Sequence, residues 1–172
     1  MAYTNYKQLK SQGDEGEQQF ISFLESKGYT DIQTIDELVD ENPSEYNHED
    51  FDVQATNSLG VKLKFEVKTQ EKCHTFGYHN VEQVQNGVPG GIAVSKSDYW
   101  VFVNEKLGFG FIEANELKKT HYQICKDPTI NKQSYHDKVK VDDNILWITK
   151  FKNFAAGWRQ PNNKLEWYKQ TN

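Results

Sequence analysis

Phe51-Asp52-Val53-Gln54-Ala55-Thr56-Asn57-Ser58-Leu59-Gly60-Val61-Lys62-Leu63-Lys64-Phe65-Glu66-Val67-Lys68-Thr69-Gln70 reads as two strands, residues 51–56 and 61–70, folded back on each other. In the second, Val61, Leu63, Phe65 and Val67 alternate with Lys62, Lys64, Glu66 and Lys68. A strict period of two puts the apolar residues on one face of a pleated strand and the charges on the other. A three-residue loop, Ser58-Leu59-Gly60, with Gly60 in the left-handed conformation, pairs Asn57 with Val61 and sets Asp52 opposite Glu66.

Residues opposite each other on an antiparallel pair have Cβ atoms about 4.5–5.5 Å apart, and like charges there repel. Two facing carboxylates need compensation. Lys68 lies two residues along the same face, roughly 7 Å away at about 3.3 Å rise per residue, within reach of its four-carbon stem. A divalent cation held by Asp52 and Glu66, with Lys68 covering an adjacent anionic ligand, turns the repulsion into a site. A solvated strand face with alternating charges is the plainer alternative. Asp50 shares the strand face of Asp52 and is the other candidate for the metal ligand.

Upstream, Gly13-Asp14-Glu15-Gly16-Glu17 opens a helix, with Asp14 as expected N-cap and Glu17 three residues later in capping-box spacing. Phe20, Ile21, Phe23 and Leu24 form its apolar stripe, and Gly28 ends it. Glu17 lies three, four and seven residues before Phe20, Ile21 and Leu24, so it projects with the buried stripe. It is either a cap or an inward-facing member of the site.

Asp52, then Glu66-Val67-Lys68 on a hairpin, after a helix carrying Glu17, resembles the PD-(D/E)xK nuclease superfamily, whose members include restriction endonucleases and Holliday-junction resolvases. The succession Asn80-Val81-Glu82, Gly91-Ile92, Ser97-Asp98-Tyr99-Trp100 is similar to a branch common among phage and bacterial nucleases. The resemblance covers about residues 13–117, leaving residues 118–172 as a C-terminal extension of a single domain. It implies an α/β fold with a restriction-endonuclease-like core, a mixed central sheet flanked by helices. It also implies hydrolysis of DNA phosphodiester bonds with Mg²⁺ (or Mn²⁺), for which hard oxygen ligands are suited. By the resemblance Asp52, Glu66 and the Val67 carbonyl bind the metal, and Lys68 orients or deprotonates the attacking water and stabilises the phosphate. Glu17 completes the site, and Gln70 matches a polar residue that several members carry. The chain departs from the family in having Phe51, not Pro, before the Asp.

The remaining pattern fits one domain: 172 residues, 36% hydrophobic and 13% aromatic, make a real core. Residues 30–50 read as a strand or short helix followed by an acidic loop broken at Asn42-Pro43. Residues 78–85 alternate as a third strand, with Asn80 and Glu82 on one face. Gly90 to Ser97 reads as a loop with an N-capped short helix, and residues 99–103 as a dense apolar strand central in the sheet. Residues 109–112 return as a strand and 113–120 form a short helix. Residues 121–143 read as polar loops and 146–149 as a strand. In the tail, Phe151, Phe154, Trp158, Trp167 and Tyr168 mix with Lys150, Lys152, Arg159 and Lys164. The mixture suits stacking on bases with phosphate contact, or packing of the rings on the core with the lysines in water.

Net charge is −5, which argues against a protein that coats nucleic acid, but the charge is uneven. Thirteen Asp and Glu face the single Lys27 between Gly13 and Gln54, while Ile145 to Asn172 holds four Lys and Arg159 against Glu166 alone. A polyanion is steered to the second region and to the lysine face of the hairpin, so Lys62, Lys64, Lys150, Lys152 and Arg159 are the expected nucleic-acid contacts. Cys73 and Cys125 form no Cys-x-x-Cys, and Cys73-His74 with His79 lacks a fourth ligand, so zinc is not expected. No run approaches the roughly eighteen apolar residues of a membrane span, and the first ten residues are unlike a signal peptide. A soluble, intracellular protein of a bacterium or phage-infected host is expected, in the cytoplasm, with DNA as partner, no membrane, and homodimer formation left open. The competing class is a binding module that keeps the fold without turnover; within the enzymes, an exonuclease or RNase is the alternative. With Arg159 as its one arginine, the chain has few forked donors for reading guanine edges.

Overall fold

The hairpin forms in the expected register. In a computed structural model, which describes residues 2–85, 88–126, 139–141, 144–149 and 155–169, β2 (Val53–Thr56) pairs antiparallel with β3 (Lys62–Thr69), Val53 opposite Phe65 and Thr56 opposite Lys62. Gly60 takes a φ of 76°, and Asn57 Oδ1 accepts from the Leu59 and Val61 N–H groups at 3.0 and 2.9 Å. One further step of this register sets Asp52 against Glu66.

Around the hairpin lies a six-stranded mixed sheet in the order β1-β2-β3-β6-β7-β11. Its strands include β1 (Thr30–Thr34), β6 (Tyr99–Asn104), β7 (Gly108–Glu113) and β11 (Glu166–Tyr168). The β3–β6 pair is parallel and the others are antiparallel. As expected for a central strand, β6 is buried along almost its whole length. Both alternatives offered for the segment after Gly28 occur in succession: β1, then α2 (Ile35–Glu41), opened by a capping box between Thr34 and Glu37.

Helix α1 covers one face of this sheet. Phe20, Phe23 and Leu24 pack on Val53, Ala55, Phe65, Val67, Val101, Val103 and Phe109, with the Phe20 and Phe65 rings edge to face at 5.2 Å. The helix runs Ala2–Ser26, so Asp14 is not its N-cap and the expected start is wrong by three turns. Residues 2–12 hold no proline and several good helix formers, and the two interior glycines, Gly13 and Gly16, cost only about 1 kcal/mol each. Gly16 is there for packing: a Cβ on it would lie 1.9 Å from Thr69 Oγ1, so its missing side chain lets α1 approach the end of β3. Gly16→Ala is expected to lose about 1–2 kcal/mol net of its helix-propensity gain. Thr69→Ala in the same chain should restore most of that, as measured by urea denaturation.

The opposite face is covered by a second sheet, antiparallel, in the order β5-β4-β10-β9-β8, with α4 (Ala114–Lys126) beside it. Its strands are β4 (Tyr78–Gln85), β5 (Val88–Pro89), β8 (Val139–Val141), β9 (Asn144–Thr149) and β10 (Ala155–Pro161). Val81 and Trp158 meet Trp100, Phe102 and Ile112 between the sheets, with Leu117 and Ile124 of α4. Residues 121–126, expected as loop, continue α4, because Ala114, Leu117 and Ile124 make one buried stripe at helical spacing. The short helix at Gly91–Ala93 is 3-10 and lacks the expected side-chain cap. Trp158 is fully buried, so the tail's core reading holds for that ring. Phe151 and Phe154 lie outside the described residues. Among the described residues no helix is long and apolar enough to cross a membrane.

Candidate active site

The charged face of β3 opens beside the covered part of the sheet. Glu66 and Lys68 stand opposite Trp100 and Phe102 of β6, on the face away from α1, and the Lys68 ammonium lies 5.7 Å from the Trp100 ring centroid. At the entrance to β2, Asp52 is fixed by its backbone: its N–H donates to the Phe65 carbonyl at 2.9 Å and its carbonyl accepts from the Ile35 N–H at 2.8 Å. Its side chain completes the ladder, Oδ2 accepting from the Val67 N–H at 2.6 Å. The N–H and C=O of one strand residue point to the same neighbour. The Val67 carbonyl therefore also faces the β2 side, past the last paired residue, Val53.

Lys68 joins the two carboxylates: its Nζ lies 2.5 Å from Glu66 Oε1 and 3.8 Å from Asp52 Oδ2. The other Glu66 oxygen accepts from Ser95 Oγ at 3.2 Å, and Ser95 Oγ meets Ser97 Oγ at 2.8 Å. Glu66 is only 8% exposed. Burial pushes its carboxyl up, Lys68 opposes that, and the Asp52 charge adds to it. Burial acts to lower the Lys68 ammonium, but Glu66 and Asp52 outweigh it and hold the group above its usual range. Glu17 is half-buried and pushed up to about 7, first by burial, then by the charges of Asp52 and Asp14, with Lys68 opposing. Glu17 therefore feels the same cluster from α1. As an interior helix residue it caps nothing.

Folding raises the Glu17 pKa from 4.5 to about 7, so the folded chain binds that proton more tightly than the unfolded one. The group costs stability as pH rises through this window, and the cost persists above it. Glu17→Gln should leave the melting temperature unchanged near pH 4. At pH 8 it should raise stability by about 1 kcal/mol, a value reduced for solvent screening of a half-buried group. Thermal melts at the two pH values check this.

Other expected residues are placed elsewhere. Gln70 is not turned to the carboxylates: its Nε2 donates to the Asn80 carbonyl at 2.8 Å and its Oε1 accepts from the Asn80 N–H at 2.9 Å. This ties the end of β3 to β4 and makes Gln70 a strut between the sheets. Asp50 is buried, and its Oδ1 is 2.8 Å from Lys96 Nζ, its ion-pair partner. Lys62 is exposed on the hairpin, and the Lys64 ammonium sits 5.1 Å from the Phe51 ring centroid. Arg159 is on β10 over Tyr78. Lys150 and Lys152 lie outside the described residues.

Three participants were not read as part of the site. Ser95 and Ser97 precede the apolar strand β6 in a polar run, Ser95-Lys96-Ser97-Asp98, whose alternation placed them in a loop without showing that they turn inward. Glu82 of β4 feels the Lys68 charge, and burial raises its carboxyl. Its signal was its phase along β4, legible as a face but not as a neighbour of β3.

Among the described residues no three His, Cys, Asp or Glu side chains are gathered to hold a metal ion together. The ammonium of Lys68 stands in the place of a cation, and both Asp52 and Glu66 reach it. Their oxygens are hard donors that suit Mg²⁺ or Mn²⁺, so the residues present fit a divalent ion. Comparison of the chain with protein-family models, with curated proteins and with solved structures finds no match.

Proposed function

We propose that this chain is a metal-dependent nuclease of PD-(D/E)xK type that hydrolyses phosphodiester bonds of DNA. The observation that carries the reading is one cationic centre reached by both Asp52 and Glu66, beside a third carboxyl, Glu17, whose pKa is brought to about 7. The mixed sheet flanked by helices is the coarse architecture that the resemblance implies, and it supports the reading to that extent. Asp52, Glu66 and the Val67 carbonyl would hold Mg²⁺ or Mn²⁺, which when bound supplies Lewis-acid stabilisation of charge on the phosphate.

The chain's own groups divide the remaining work. Lys68, kept protonated by its carboxylate neighbours, is unsuited to be a base; it orients a phosphate oxygen and offsets the charge that develops there. Glu17 sits near neutrality, where a carboxylate is an effective acceptor for the proton of an attacking water. Ser95 holds Glu66 by one oxygen and fixes the direction of the other. A rate that rises with pH is therefore expected, its midpoint below the metal-free value of about 7 because a bound cation favours the ionised carboxyl, with that limb lost in Glu17→Gln. Offering linear, circular and branched DNA, and RNA, with Mg²⁺, Mn²⁺ or EDTA tests the reading: cleavage should occur only with metal.

A second reading draws on the Lys68–Glu66 contact itself. An ion pair that already satisfies the carboxylates suits a nucleic-acid- or protein-binding module that keeps the fold without turnover. Such a module shows no metal-dependent cleavage and no metal-dependent melting shift. An exonuclease or RNase would use the same residues and is separated by the substrate panel.

A further inference from the structure

The outer face of the second sheet carries a stack of flat groups that the carboxylate cluster does not use. Phe76 is 55% exposed, and its ring stacks on Tyr78 with centroids 5.7 Å apart and planes 19° from parallel. The Arg159 guanidinium lies 4.6 Å from the Tyr78 ring centroid. A single exposed ring is ordinary on a protein surface. A bare ring on a pinned turn, backed by a second ring and the chain's one arginine, is less so.

The turn is held from several sides. Phe76 ends α3 (Cys73–Phe76), a single helical turn closed by Gly77 at a φ of 72°, where a side chain would be strained. Asn162 Nδ2 donates to the Cys73 carbonyl at 2.7 Å and the Asn162 N–H donates to the Gly77 carbonyl at 2.9 Å, while the Cys73 side chain is buried. Phe76 is thus presented to solvent in a fixed position, the pre-organised state that makes binding inexpensive.

The stack also leads toward the cluster. Tyr78, Asn80 and Glu82 alternate on one face of β4, with Val81 and Trp158 turned into the core. Asn80 is clamped by Gln70, two residues past Lys68, and Glu82 feels the Lys68 charge. From Tyr78 to Glu82 the strand covers about 13 Å. A base within a duplex has both π-faces covered by its neighbours, so a side-chain platform of this kind takes only an unpaired base. The guanidinium adds a cation for the phosphate or the base plane.

We propose that the Phe76–Tyr78–Arg159 stack is a binding platform for an unpaired base of single-stranded nucleic acid, whose backbone runs along β4 toward Lys68. This deepens the nuclease reading by naming a strand with unpaired bases as its substrate, and its test is made without cleavage. Fluorescence polarisation of labelled oligothymidine, oligouridine and a duplex, with the whole protein in EDTA, reads it directly. Binding of either single strand at least about tenfold tighter than the duplex is expected, the two arms telling DNA from RNA. Phe76→Ala should weaken single-strand binding by about 5- to 150-fold, the span of base–aromatic stacking, with an unchanged melting temperature because the ring is exposed. Phe76→Tyr should keep the binding, and Arg159→Lys, which keeps the charge but loses the plane, should weaken it several-fold. Equal affinity of wild type and Phe76→Ala, duplex bound as tightly as single strands, or no binding at all would overturn the proposal. Single-strand binding through Phe76 with no cleavage in Mg²⁺ would keep the platform and remove the nuclease reading. Cleavage with Phe76→Ala binding as wild type would do the reverse.

Discussion

Glu66→Ala is expected to lower metal-dependent cleavage by about a thousandfold or more, the scale on which single groups that stabilise transition-state charge act. Glu66 is the carboxylate whose direction is most constrained, held by Lys68 on one oxygen and Ser95 on the other. The fold should survive, because the carboxylate is itself costly to bury and Lys68, whose side chain is 38% exposed, can return to water. The metal-dependent rise in melting temperature should vanish with the cleavage. Ser95→Ala should leave the metal shift in place and lower the rate more modestly, since it removes an orienting contact and no charge. Rates of nicking of a labelled DNA, read beside melting curves with Mg²⁺ and with EDTA, measure all of this.

Lys68→Ala should have the largest effect on stability. It strips the shared cation from Glu66 and Asp52 and removes the charge that opposes the rise of the Glu17 pKa. Removing one partner of a buried pair leaves an uncompensated charge; with Lys68 partly exposed, a loss of about 2–3 kcal/mol is expected at pH 8. The sign with pH follows from the raised carboxyls. Glu66 and Glu17 already titrate above their ordinary values, and without Lys68 they rise further, so protonation relieves the repulsion. The deficit should therefore shrink as pH falls toward 5. Millimolar Mg²⁺ should also shrink it, by taking the place of the ammonium as a ligand of the folded state. Cleavage should nonetheless fail, because the phosphate has lost its cationic partner. A merely structural ion pair predicts the pH effect without the rescue by metal.

How far the sequence could be read depended on whether a feature was local. The hairpin, its register and the approach of Asp52, Glu66 and Lys68 to one another followed from a period of two and one glycine, because pairing across a short loop leaves few choices. The inward turn of Glu17 was legible from its phase with Phe20 and Leu24. Its alternative role as a cap was excluded only by the length of α1; Gly16 within that helix packs against Thr69, a contact between residues far apart in sequence. The second sheet was largely illegible for the same reason. Residues 78–85 were recognisable as a strand, but their pairing with β10, across more than half the chain's remaining length, leaves no local mark. Gln70 enters the site by the resemblance alone, yet the backbone of Asn80, supplied by that second sheet, claims both ends of its amide. Ser95 was hidden because a polar run before a buried strand looks like a loop whichever way its hydroxyls turn.

The most direct measurement is a calorimetric titration of Mg²⁺ or Mn²⁺ into the protein at pH 7, repeated in two buffers of different ionisation enthalpy. Glu17, at about 7, holds part of a proton at that pH, and a bound divalent ion favours the ionised form of the raised carboxyls. Binding should therefore appear with net release of protons, seen as a buffer-dependent heat, and Glu66→Ala should abolish it. Wild-type protein that takes up neither ion in either buffer would contradict the assignment of Asp52, Glu66 and Lys68 as a metal-dependent hydrolytic site.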